Sequence, residues 1–117
     1  MVETEQNSSG LSDEGVLALG GNIELSGFGD LDRDSMVVLK KIVGNYAKKF
    51  SEICTNFEKL SLKMKHVHES ESEHSGRYEL HALVADRGRN YVSEVVDFNL
   101  FFAVDKAFKK IENMLTR

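Results

Sequence analysis

A regular alternation of apolar and polar residues over 57–67, FEKLSLKMKHV, is the feature that most limits the fold of this chain. Every second side chain from Leu60 to Met64 is apolar, so an extended strand places these on one side and the intervening polar residues on the other. The same period of two recurs in RYELHALVA (77–85) and YVSEVV (91–96), and the turn sequence DRGRN between them predicts a β-hairpin. These segments predict one sheet with a single buried face.

Two further segments repeat their apolar residues at the spacing of an α-helix. The first runs from about residue 35 to 53 and follows an Asp-rich turn, GDLDRDS, whose side chains are candidate N-terminal caps. The second follows Asn99, another candidate cap, and extends almost to Arg117. A short strand, NIELSGF (22–28), bounded by glycines, precedes the first helix.

The resulting order, β-α-β-β-β-α, predicts an α+β fold in two layers. We expect a four-stranded, mainly antiparallel sheet with both helices packed on one face, as in double-stranded RNA-binding domains. A chain of 117 residues, 41% of them apolar, forms one such domain over residues 21–117 and buries roughly two-thirds of its unfolded surface. The sheet face turned to solvent would carry Lys59, Lys63, Lys65, Glu79, His81 and Glu94.

The net charge of −4 taken alone disfavours a nucleic-acid partner, but the acidic residues are unevenly distributed. We predict that residues 1–20 form a flexible acidic extension, because this polar segment has little to bury. It contains four of the 19 acidic residues, so the rest of the chain has 15 of each sign and local basic faces are permitted. The four are Glu3, Glu5, Asp13 and Glu14.

The Asp-rich turn begins like a calcium-binding loop, with Asp30, Asp32 and Asp34 at the first, third and fifth positions. The glycine required at position six is replaced by Ser35, and the bidentate glutamate required at position twelve is replaced by Lys41. A helix-capping turn is therefore favoured over a calcium site.

Side chains suited to other site chemistry are few. His66, His68 and His74 have ligand types for zinc, but they fall where a strand pattern gives way to a polar segment, so a hairpin loop is favoured. Cys54, the single cysteine, lies close to the apolar side of the first helix, where an inert buried thiol is favoured over a nucleophile. We therefore expect no enzyme activity, cofactor, metal or small-molecule substrate. Without a disulfide framework or a membrane-length apolar run, a cytoplasmic protein with no membrane partner is expected.

Basic residues project from the helix faces that are turned away from the predicted sheet. Phe102 lies among those of the last helix, on the side opposite to its apolar stripe. Solvation explains a lysine face by itself, but an exposed ring among lysines is typical of stacking on a nucleobase or anchoring in a protein partner. These basic residues are Lys41 and Lys48 on the first helix, and Lys106, Lys109, Lys110 and Arg117 on the last.

The last helix resembles a known family. NLFFAVD (99–105), followed without a gap by Lys110-Ile111 and Leu115, is similar to the Asp-Met-Tyr-Ala-Ala-Ile-Asp pattern and the later Lys-Leu and Leu of bacterial ribosome hibernation-promoting factors, also called ribosome-associated inhibitors. The strand order and the lysine-bearing first helix also resemble that family, so the similarity covers about residues 22–117. The chain departs from it in its lower basic charge, its acidic extension and Phe102, which replaces a usually small residue.

The resemblance implies a non-enzymatic factor that binds rRNA of the small ribosomal subunit, in the channel used by mRNA and tRNA, and holds idle ribosomes inactive or protected. It also implies the short form of the family, without the second domain that pairs ribosomes. The implied contacts to rRNA phosphates are Lys41, Lys48, Lys49, Lys106, Lys109 and Lys110 on the helices, with Lys63, Lys65, Arg87 and Arg89 as weaker candidates on strand and hairpin.

Phe102 and Arg117 complete the set of RNA-binding residues that we predict on the outer side of the last helix. The alternative function is a protein-interaction module, including a homodimer, that uses the exposed face of the last helix or the open sheet edge. Salt separates the two, because phosphate contacts weaken steeply between about 50 and 200 mM salt and a Phe-centred protein interface does not.

Overall fold

The four predicted strands form one sheet, which is extended by a further strand of two residues. The computed structural model describes residues 17–18, 22–67 and 76–116. In chain order, its elements are β1 (Leu17–Ala18), β2 (Ile23–Ser26), α1 (Arg33–Ile53), β3 (Phe57–Val67), β4 (Arg77–Asp86), β5 (Arg89–Asp97) and α2 (Leu100–Leu115).

The strands lie in the sheet in the same order as in the chain, from β1 to β5. β2 and β3 are parallel, because α1 connects them as a crossover, and the other neighbouring pairs are antiparallel. The predicted α+β fold and its mainly antiparallel sheet are thus confirmed. β1 was not predicted; it lies within the segment 1–20 that the sequence assigns to an N-terminal extension, and its two residues pair with β2.

Both helices begin at side-chain caps. The Asp32 carboxylate accepts a hydrogen bond from the backbone N–H of Ser35 at 3.0 Å, and the Ser35 side chain, together with this backbone bond, holds the pKa of Asp32 below its usual value. The side-chain oxygen of Asn99 accepts one from the backbone N–H of Phe102 at 2.8 Å. The predicted capping turn and the predicted Asn99 cap are therefore confirmed, and α1 begins two residues earlier than expected, at Arg33.

The core lies between the two helices and one face of the sheet. Tyr46, Phe50 and Phe108 bring their rings to within 6.0 Å of one another, between centroids, and so join α1 to α2. Apolar side chains on the buried face of the sheet, from β2 to β5, pack on the other side of these rings. The alternation of apolar and polar residues in the strands predicts this buried face. The fully buried members are Leu25, Phe28, Leu39, Val43, Phe50, Leu60, Leu62, Leu80, Ala82, Val84, Ala103, Val104, Ala107, Phe108 and Ile111.

The β4–β5 hairpin closes with Arg87 and Gly88, which both have positive φ, at 54° and 79°. Two consecutive positive φ values characterise a type I′ turn, whose twist matches that of the strands it joins. The positive φ predicted for Gly88 is confirmed. The segment between β3 and β4, which includes His68 and His74, lies outside the described residues.

Cys54 ends α1 and is half-buried. Burial raises the pKa of its thiol to about 11, and the nearby Asp86 carboxylate contributes to the rise. At neutral pH the thiol is protonated, which agrees with the inert role predicted for it. Among the described residues, neither helix is long and apolar enough to cross a membrane.

Candidate nucleic-acid interface

The two helices lie side by side on the sheet and run in the same general direction. Tyr46 of α1 contacts Asp105 of α2, and Lys49, one turn further along α1, contacts Glu112, two turns further along α2. Because the contacts advance together along both helices, their outer sides form one continuous surface. Packed helices stand about 8–10 Å apart, so a lysine side chain on one helix can reach the same ligand as a side chain on the other.

Lysines and one phenyl ring occupy the outer side of this helix pair. At 100° per residue, Phe102 and Lys109 point directly away from the sheet on α2, as Lys41 and Lys48 do on α1, and Lys106 lies beside them on the flank toward β5. All five side chains are exposed. Lys49 lies on the flank of α1 that faces α2. We call this surface the helical face, and its members are Lys41, Lys48, Lys49, Phe102, Lys106 and Lys109.

The acidic residues between the helices are engaged in internal contacts. The Tyr46 hydroxyl donates a hydrogen bond of 2.6 Å to the Asp105 carboxylate. Glu112 lies between two lysines, Lys49 and Lys109, and is 3.5 Å from each ammonium. The Glu112 side chain is only 20% exposed, so this carboxylate offers little negative charge to a ligand approaching from solvent.

This arrangement also changes the pKa of the Tyr46 hydroxyl. Burial raises the pKa of its hydroxyl well above 10, and the hydrogen bond to Asp105 adds to the rise, because ionising the phenol would place two negative charges together. Tyr46 therefore remains a hydrogen-bond donor over the whole physiological pH range. Its role is to fix Asp105 in the groove between the helices.

Phe102 is exposed as predicted. The structure leaves 58% of the residue accessible, and the Lys106 ammonium lies 5.0 Å from the centre of the ring. The same ammonium is 3.3 Å from the Asp97 carboxylate at the end of β5. Hydrogen bonds lower the pKa of Asp97, the largest effect coming from the backbone N–H of Asn99 and a smaller one from Lys106. Lys106 is thus held beside the ring.

The twelve RNA-binding residues predicted from the sequence do not form one surface. Lys63 and Lys65 alternate with core residues of β3, so they lie on the opposite side of the sheet from the helices. Arg87 and Arg89 lie at the β4–β5 turn. The Lys110 ammonium turns toward the sheet edge and donates a hydrogen bond of 3.3 Å to the Glu94 backbone carbonyl. Arg117 lies outside the described residues. The helical face retains six of the twelve.

Several exposed apolar residues were missed from the sequence, among them Phe98 and Val37. Phe98 is the most exposed of the large apolar side chains described, at 66%, and lies between the end of β5 and the Asn99 cap. Neither a strand nor a helix period assigns a face to such a junction residue. Val37 is 58% exposed and lies one turn before Lys41 on the outer side of α1. Its helical phase relative to Lys41 was the signal available in the sequence.

Comparison of the chain with protein-family models gives no match, and comparison with curated protein sequences gives none either. The similarity of NLFFAVD (99–105) to the hibernation-promoting factors therefore stays a prediction. The positions and contacts of the six residues on the helical face are the basis for the function proposed below.

Proposed function

We propose that the helical face binds the phosphate backbone of structured RNA, and that this RNA is small-subunit rRNA, so that the protein silences or protects idle ribosomes without acting as an enzyme. The observation that supports this is the placement of five lysines and an exposed ring on two parallel helices whose intervening acids are engaged internally. Within the described part of the chain, Lys41 and Lys48 have no ion-pair partner and are free to take up phosphate contacts.

The spacing of these lysines suits a ligand with repeated charges. Lys41 and Lys48 are two turns apart, or about 10 Å along the helix, and Lys106 and Lys109 are about 5 Å apart. Such contacts supply affinity without distinguishing bases, and they suit recognition of shape and backbone in folded RNA. Five phosphate contacts would give a slope of about −4 in the dependence of log affinity on log salt.

Phe102 supplies the contact that lysines cannot make. Stacking of an unpaired base on an aromatic ring contributes about 1–3 kcal/mol and tolerates any base. Lys106, held beside the ring, is placed to contact the phosphate of a nucleotide whose base stacks there. RNA with an unpaired base next to a helical segment is therefore the ligand that fits this face best.

The test is sedimentation of the protein with ribosomes and with separated subunits at about 50 and 200 mM salt. The variant is Lys41→Glu/Lys48→Glu, because both side chains are exposed and neither has an ion-pair partner among the described residues. The matched control is Lys59→Glu/Lys65→Glu, which makes the same change in net charge on the opposite face of the sheet. Folding of each variant is checked by circular dichroism.

We expect the wild-type chain and the control to co-sediment with the small subunit at low salt, and the helical-face variant to remain in the supernatant. Equal loss by both variants would attribute the binding to net charge alone, and failure of the wild-type chain to sediment at low salt would remove the proposal. Binding that persists at high salt but is lost in Phe102→Ala would instead identify a protein-interaction surface.

A further inference from the structure

The outer edge of β5 is one border of the sheet. β5 is nine residues long, whereas β1, the strand at the other border, has two residues. Short strands and proline protect sheet edges against further pairing, and β5 has neither of these features. A long edge strand is a template for one more strand, because half of its backbone groups point away from the sheet.

The register of the β4–β5 hairpin identifies these outward groups. The turn has two residues, so Asp86 and Arg89, which flank it, exchange hydrogen bonds, and every second pair after them does the same. The backbone N–H and C=O groups of the intervening residues of β5 therefore point outward. The Lys110 ammonium reaches the Glu94 carbonyl at 3.3 Å, which agrees with this assignment. The outward residues are Asn90, Val92, Glu94 and Val96.

The two sides of this edge differ in chemistry. On the side away from the helices, Val92 and Val96 are 55% and 54% exposed, and Phe98, just beyond the strand, is 66% exposed. On the side of the helices, Lys106 and Lys110 of α2 lie above the edge, and each ammonium is 3.3 Å from an oxygen atom of β5. The edge is thus apolar on one side and basic on the other.

We propose that the β5 edge binds an extended segment of a partner protein, which adds to the sheet as a further antiparallel strand and alternates acidic with β-branched residues. Strand addition of this kind takes its affinity from backbone hydrogen bonds and its specificity from alternate side chains. Each outward residue of β5 offers one N–H donor and one C=O acceptor to the added strand. At the Glu94 carbonyl, a backbone N–H of the partner replaces the Lys110 ammonium.

The two lysines determine where the acidic residues of the partner lie. Alternate residues of a strand are about 6.8 Å apart, and Lys106 and Lys110, one turn apart, are separated by about 6 Å along α2. Two carboxylates at alternate positions of the added strand therefore face both ammonium groups. The residues between them point to the other side of the sheet, beside Val92 and Val96, where β-branched side chains pack well across strands.

A second copy of this chain fits the edge less well. Antiparallel pairing of β5 with β5 about a two-fold axis places both α2 helices on the same side of the joined sheet, with identical flanks facing each other. Lys106 and Lys110 of one copy would then face those of the other, and like charges repel. An acidic strand from another protein meets the same lysines with the opposite charge.

The test is the binding of a labelled peptide to the full chain, followed by fluorescence anisotropy at about 0.15 M salt. The peptide is Thr-Glu-Val-Glu-Thr-Glu-Val-Glu-Thr with blocked ends, whose valines have the same spacing as Val92 and Val96. We expect saturable binding. Replacing the glutamates by lysine should weaken it about tenfold or more, and N-methylation of both valines should abolish it, because each valine then lacks its backbone donor.

Val92→Pro tests the edge from the side of the protein. The N–H of Val92 points outward, so proline removes an edge donor and keeps the hydrogen bonds between β4 and β5. We expect binding about tenfold weaker or more in Val92→Pro, and also in Lys110→Glu, which changes an exposed side chain. The control, Lys41→Glu/Lys48→Glu, should bind the peptide like the wild-type chain. Circular dichroism verifies the folding of each variant.

Absence of binding at about 1 mM peptide would overturn the proposal, and so would equal binding of the N-methylated peptide. Tighter binding by Lys110→Glu would mean that Lys110 only shields the edge, which overturns the acidic partner. A chain that dimerises, and loses the dimer in Val92→Pro, would assign the edge to a second copy instead. The proposal does not rest on RNA binding: Val92 and Lys110 lie outside the helical face, so the two tests fail independently.

Discussion

The helical face and the open sheet face, which is the side of the sheet turned away from the helices, both carry several lysines. They differ in the contacts and the exposure of their acidic side chains. On the helical face, Asp105 is bound to Tyr46, and Glu112 is enclosed by Lys49 and Lys109. On the open sheet face, the Glu94 side chain is 74% exposed. The two acids between the helices are therefore engaged by internal contacts, whereas Glu94 on the open sheet face is exposed to solvent and to any charged ligand.

The largest effect is expected when the link between the helices is broken. Phe108→Ala removes a fully buried ring that contacts Tyr46 and Phe50. We expect the free energy of unfolding to fall by about 3–5 kcal/mol, because a large core side chain is lost and a cavity remains. Urea denaturation followed by circular dichroism measures this. A loss under about 1 kcal/mol would mean that the ring trio does not hold the helices together.

The fold could be predicted because apolar residues recur at every second position in its strands and at the spacing of an α-helix in its helices. The helix caps and the Gly88 turn are local features, so they too could be anticipated from short stretches of sequence. The hydrogen bond that engages Asp105 could not be predicted in this way. Tyr46 and Asp105 are 59 residues apart and meet only after both helices pack on the sheet.

The direction of individual lysines was also beyond the sequence. Lys110 follows Lys109 in the chain, but one step of 100° carries it from the outer side of α2 toward β5, where its ammonium donates a hydrogen bond to the Glu94 backbone carbonyl. Lys63 and Lys65 were assigned to the solvent side of the sheet correctly. The predicted two-layer fold already placed them on the opposite side of the sheet from the helical lysines, and the structure has them there.

The next largest effect is expected when the exposed ring of Phe102 is removed. We expect Phe102→Ala to lower RNA affinity by about 5-fold to 150-fold, the loss of 1–3 kcal/mol of stacking, and to change the free energy of unfolding by less than about 0.5 kcal/mol. Filter binding to small-subunit rRNA measures the first quantity. Phe98→Ala is the matched control, because Phe98 is at least as exposed as Phe102 and its ring makes no cation–π contact with Lys106. Equal losses in both variants would remove the stacking role.

An effect of similar size, on stability rather than on RNA affinity, is expected from Tyr46→Phe, which removes the hydrogen bond to Asp105 and keeps the ring. We expect a loss of about 1.5–3 kcal/mol of stability, because the acceptor is charged. The Tyr46 pKa is higher in the folded state than its ordinary value of 10.0, so its contribution is fully present below pH 10 and declines as the pH rises above it. Denaturation between pH 7 and 11 should therefore show a steeper alkaline decline in the wild-type chain than in the variant; parallel curves would contradict this.

The smallest effect, and the only gain, is expected from Glu112→Gln. The substitution keeps the shape of the side chain and removes the charge that engages Lys49 and Lys109, so both ammonium groups become available to phosphates. We expect RNA affinity at low salt to rise severalfold and the salt slope to steepen, by up to about 0.9 for each added phosphate contact. Stability should fall by no more than about 1 kcal/mol, since both lysines are about half exposed and water screens the pairs.

Glu94→Gln removes the same charge from the open sheet face and should leave RNA affinity unchanged. If both substitutions raise the affinity equally, net charge controls RNA binding and the two faces do not differ; if only Glu112→Gln does, the engaged acid sets the strength of the helical face.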